Sequence, residues 1–100
     1  MNKFHELRRK YIIETCRDLS FPDFIKEKSL DILNEIEKKL DFSGIPPRII
    51  SLTIIFIAHK ENISGISDYS LCKKLGTTYF TIEKHMNKIK QNLKEDKNGR

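Results

Sequence analysis

From Ile49 to Ala58 the chain carries only two polar side chains, Ser51 and Thr53. A stretch this apolar must be hidden from water on nearly every side. It follows Pro46-Pro47, and proline suits the first helical position, where its missing N–H would be unpaired anyway. The spacing therefore predicts a central helix that opens at Pro46-Pro47 and around which the other elements pack. The run is far short of the ~20 apolar residues that cross a bilayer, so no membrane span is expected.

One hundred residues support one core, and 4 glycines and 3 prolines are too few for a turn-rich sandwich or barrel. Five helical segments fit. The first runs from about Asn2 to Leu19, with Phe4, Leu7, Tyr11, Ile12, Cys16 and Leu19 at three- and four-residue steps. Pro22 ends it and suits the first turn of the second helix. There Ile25, Ser29, Ile32, Ile36 and Leu40 share a face, flanked by Phe24 and Leu33. Small Ser29 marks a close helix contact. Asp41 to Ile45 is a loop, and Asn62 to Ile66 is the joint after the central helix. Ser67 is placed to cap a short fourth helix holding Leu71, Cys72 and Leu75. Gly76 ends it, and Thr78 caps the last helix, where Ile82, Met86, Ile89 and Leu93 form a stripe. The expected organisation is a helical domain over 1–93 and a disordered basic tail over 94–100.

Charge narrows the class of partner. The formal net charge is +5, with the basic excess in the first and last twenty residues. That balance fits a nucleic-acid partner without requiring one. Two cysteines, Cys16 and Cys72, cannot make a four-ligand zinc site or a disulfide scaffold; they read as reduced thiols in an intracellular protein. His5, His59 and His85 are scattered. No phosphate-cradling glycine loop, nucleophile elbow or catalytic carboxylate pair is present, so neither an enzyme nor a cofactor or metal site is expected. The N-terminal residues show no apolar leader segment.

The last two helices, residues 67–93, carry the most information. Small Cys72, Gly76 four residues on, and Ile82 six beyond that follow helix-turn-helix grammar. The small residue lets the helices approach, the glycine supplies a left-handed turn, and the branched residue seals the second helix onto the first; the same grammar equally fits a plain helical corner that binds no nucleic acid. With Ile82, Met86, Ile89 and Leu93 inward, Phe80, Lys84, Asn87 and Lys88 point outward. Lys84 and Lys88 suit phosphates, and Asn87 suits adenine. Thr78 and Thr81, at the start of that helix, join the candidate set. So do Lys73 and Lys74 on the first helix of the pair, and Arg48 at the start of the central helix. Phe80 has two open roles, a groove contact or packing against the neighbouring helix or a partner protein; any single lysine reads first as surface charge, and Arg48 reads equally as a solubilising charge.

From about Ile12 to Leu93 the chain resembles the C-terminal cyclin-like repeat of archaeal transcription factor B, the relative of eukaryotic general factor IIB. The matching stretches are Cys16-Arg-Asp-Leu-Ser-Phe-Pro22, Ser43-Gly-Ile-Pro-Pro47 before the apolar helix, and Leu71-Cys-Lys-Lys-Leu-Gly-Thr-Thr-Tyr-Phe-Thr-Ile-Glu83. The resemblance implies an all-α, single five-helix cyclin-like domain whose last helix enters the major groove beside a TATA box. It also implies that an apolar residue and an arginine read bases, at positions matching Phe80 and Glu83. Phe80 suits a thymine methyl; Glu83 cannot replace an arginine at guanine, because both would present acceptors. These hundred residues hold one repeat and no zinc ribbon. The expectation is therefore a double-stranded-DNA-binding accessory or competitor in transcription, with the TATA-binding protein or other transcription machinery as further partners. The alternative is a protein-binding adaptor that uses the cyclin-like helical surface.

Overall fold

A computed structural model describes the backbone of residues 3–98 and the side chains of residues 4–93. Five α-helices follow in order: α1 (Lys3–Asp18), α2 (Asp23–Ile36), α3 (Pro47–Asn62), α4 (Asp68–Leu75) and α5 (Tyr79–Asn98). No strand occurs among the described residues, so the fold is all-α. The expected tail over 94–100 falls on positions whose side chains lie outside the described residues; the helical backbone itself runs to Asn98.

Helix α3 is the hub. It packs against each of the other four helices, and every residue from Ile50 to His59 is buried. Each fully buried isoleucine contributes about 1.5–3 kcal/mol by leaving water, which makes this helix the main source of stability. Its two hydroxyls are satisfied by backbone carbonyls. Thr53 Oγ1 donates to Ile49 O at 2.8 Å, and Ser51 Oγ lies within bonding distance of Pro47 O (2.8 Å) and Arg8 O (3.0 Å). The second of these ties α1 to α3.

Around the hub, the joints are made by local chemistry. Helix α1 closes through Ser20, which adopts a left-handed φ of +57°, with Phe21 N donating to Cys16 O at 2.9 Å. Pro22 then stands at the N-cap of α2, one place before the first turn expected for it. The buried face of α2 is Ile25, Ser29, Leu33 and Ile36, with Ile32 only partly covered. That corrects the expected stripe: steps of four, four and three follow the 3.6-residue period more closely and bring Leu33, not Ile32, to the centre. Ser29 is fully buried and donates to Ile25 O at 2.8 Å. Leu40 lies beyond the helix, after a turn in which Leu40 N donates to Ile36 O at 2.9 Å.

Arg8 was not anticipated in the core. It stands in line with Ile12 and Cys16 at four-residue steps and is 4% exposed. Its Nη1 bonds Glu37 Oε2 at 2.5 Å, and His5 Nδ1 meets the other oxygen of the same carboxylate. Glu37 caps the C-terminus of α2, where an acid opposes the helix dipole. The Arg8 cation offsets that opposition, and its contact and that of His5 with one carboxylate fasten the two helices together.

Candidate nucleic-acid interface

Helices α4 and α5 are joined by the turn at positions 76–78. Ser67 Oγ accepts from Ser70 N at 3.1 Å, closing the start of α4 as its position predicts. Gly76 takes the left-handed conformation at φ +80°, its N–H bonding Lys73 O at 3.1 Å, while Thr77 N donates to Cys72 O at 3.0 Å. These bonds satisfy the last carbonyls of α4 and turn the chain sharply. Thr78 Oγ1 accepts from Thr81 N at 3.3 Å and lies 3.1 Å from Thr81 Oγ1. Cys72 and Ile82 are both buried, as the spacing requires, and Tyr79 sets its ring 6.0 Å from that of Phe56 in α3.

With Ile82, Met86 and Ile89 held inward, the opposite side of α5 is free. Phe80 is 72% exposed, and Glu83, Lys84, Asn87, Lys88, Lys90 and Gln91 are also exposed. Lys84 Nζ stands 6.0 Å from the centre of the Phe80 ring, close enough for a cation–π attraction. Between the two faces sits His85. Burial first, then the charges of Lys84 and Lys88, hold its imidazole below the ordinary range, so it is neutral at pH 7.

Arg48 is brought to this region although it is distant in sequence. Its Nη2 lies 3.4 Å from the point that a β-carbon on Gly76 would occupy, so the guanidinium rests against the turn. Lys73 is exposed on the adjoining turn of α4. Lys74, also exposed, leans over the Phe21 ring at 5.9 Å and so is partly engaged with the joint between α1 and α2. The hydroxyls of Thr78 and Thr81 are occupied in capping α5, which gives those two residues a structural duty at the expected place.

Two features escaped the sequence reading. Lys90 extends the exposed cationic side of α5, and the helical angle of position 90 was the available signal. The second is a depression of about 240 Å³ bordered by Phe4, Arg8, Phe42, Ile45, Pro46 and Pro47. The Arg8 guanidinium stacks 5.2 Å over Phe42 there, and its buried Nε has no hydrogen-bond partner. Only the tertiary fold brings these segments together.

Among the described residues no three of His, Cys, Asp and Glu gather as metal ligands would, and no helix is long and apolar enough to cross a membrane. Compared with known protein families, curated proteins and solved structures, the chain matches none.

Proposed function

We propose that this chain binds duplex DNA through the outward side of α5 and acts in transcription as an accessory or competitor, in the manner of a lone cyclin-like repeat. The observation that carries the reading is the α4–turn–α5 pair. A left-handed Gly76 joins two helices sealed by Cys72 and Ile82, and the second presents Lys84, Lys88 and Asn87 to solvent. In helix-turn-helix proteins the second helix lies in the major groove and its N-terminal residues face base edges. Arg48 rests on the turn, which supports a role for it as a phosphate contact next to that groove. The resemblance to the second repeat of transcription factor B supports the same docking and names the TATA-binding protein as a candidate companion.

A single module with this few cations binds weakly and with steep salt dependence, since each phosphate contact adds about −0.9 to the slope of log K against log salt. Titration of labelled duplexes at several salt concentrations tests the reading. Binding is expected at ~50 mM salt, and Lys84→Glu with Lys88→Glu should reduce the slope by about 2 and weaken binding to all duplexes alike. Absence of binding at ~50 mM salt, or an unchanged slope in the double variant, overturns it.

A second reading, a protein-binding adaptor, draws on the mainly apolar depression between Phe4, Arg8, Phe42 and Pro46-Pro47. A partner protein captured with DNA affinity no better than that of a generic basic protein would select it.

A further inference from the structure

Glu83 is the one acidic side chain described on the exposed side of α5, and no cation stands against it among the described residues. It forms no hydrogen bond or ion pair with any described residue. Its neighbours at three and four residues along the helix are Phe80, Met86, Tyr79 and Asn87, none of them cationic, so helical ion pairing does not account for it. It also lies past the first turn of α5, where the helix dipole favours acids only weakly. Its charge opposes the approach of any polyanion. A carboxylate in such a place is costly to DNA binding unless it meets a donor.

At 3.6 residues per turn, Phe80, Glu83 and Asn87 fall within about 60° of the helix circumference. Lys84 and Lys88 run along one flank of this row and Lys90 along the other. From Phe80 to Asn87 the row rises about 10 Å, which spans roughly three base pairs at 3.4 Å each. Two lysines on one flank and one on the other allow cations to reach the phosphate backbones on either side of a groove. The central row then faces base edges.

We infer that Glu83 is a specificity-determining residue that selects cytosine, accepting from the cytosine N4 amino group in the major groove while the flanking lysines hold the backbones. This rests on the DNA-docking reading above. Cytosine offers a donor on its major-groove edge, whereas guanine sets two acceptors there, N7 and O6, against the carboxylate. Phe80 on one side suits a thymine methyl and Asn87 on the other suits adenine, so the row reads an asymmetric three-base element centred on cytosine. The same carboxylate suppresses binding to arbitrary sequence, because it repels phosphates wherever no donor meets it.

The test is enrichment of a random duplex library at ~50 mM salt by the whole chain and by Glu83→Gln and Glu83→Arg, each checked for an unchanged thermal melt. The native chain should favour cytosine at one fixed position by about five-fold or more. Glu83→Gln should lose that preference in favour of adenine yet bind random duplex more tightly, and Glu83→Arg should move the preference to guanine. Affinity and selectivity moving in opposite directions is a signature that a purely structural glutamate would not give. Duplex binding without a cytosine preference, or a preference kept by Glu83→Gln, overturns this inference and leaves the DNA-binding reading standing. Absence of duplex binding altogether removes both.

Discussion

His59 sits in the core at the end of α3 with its Nδ1 unpartnered and its ring 4.9 Å from that of Phe21. Burial, and after it the charges of Lys60 and Lys74, hold its imidazole below the ordinary value of 6.5. A base depressed on folding resists protonation in the native state, so its contribution is present above the unfolded value and lost as pH falls. His85 acts with the same sign. The urea midpoint should therefore stay level from pH 8 to 7 and decline below about pH 6.5, with a shallower decline in His59→Gln. An identical decline in the variant would assign the effect elsewhere. In the sequence, His59 is visible only as a residue near the end of an apolar run; its orphaned nitrogen depends on what α3 packs against.

At the scale of elements, Gly76 decides how α4 meets α5. A β-carbon there meets only Arg48 Nη2, at an ordinary 3.4 Å, so the penalty for a side chain lies in the φ of +80° and not in crowding. Gly76→Ala should cost about 1–2 kcal/mol in chemical denaturation, and Gly76→Asn less, since asparagine tolerates the left-handed region. The turn was legible because Gly76 separates two apolar helical stripes, a pattern that many helical hairpins share whatever they bind. The stop of α1 was less so: Ser20, not a glycine, takes the left-handed position. Arg8 was missed because charge normally signals a solvated face, and only its spacing from Ile12 and Cys16 betrayed a buried place. The stripe on α2 slipped by one residue because Ile32 and Leu33 are adjacent and equally apolar, leaving tertiary packing to choose between them.

For the molecule as a whole, the radius of gyration of 12.7 Å is that of a packed hundred-residue domain, about 13 Å. The hub was readable from the Ile49–Ala58 run, since an apolar surface on all sides demands neighbours on all sides. The candidate interface was readable along α5, where one helix supplies both the buried stripe and its opposite. Arg48 was a candidate from its place at the start of the central helix, but its contact with the Gly76 turn depends on tertiary packing that no local pattern encodes. Two thiols share the fate of the hub. Cys16 in α1 and Cys72 in α4 both face the core, and burial pushes the first up to about 11 and raises the second. Alkylating reagents attack thiolates, which these sites neither expose nor form at neutral pH. Maleimide labelling followed by mass spectrometry should thus proceed only as fast as the bundle opens, reaching completion at once in denaturant. The chain carries its own pair of clocks for unfolding, one in an early helix and one beside the turn, and unequal rates at the two would reveal which end of the domain lets go first.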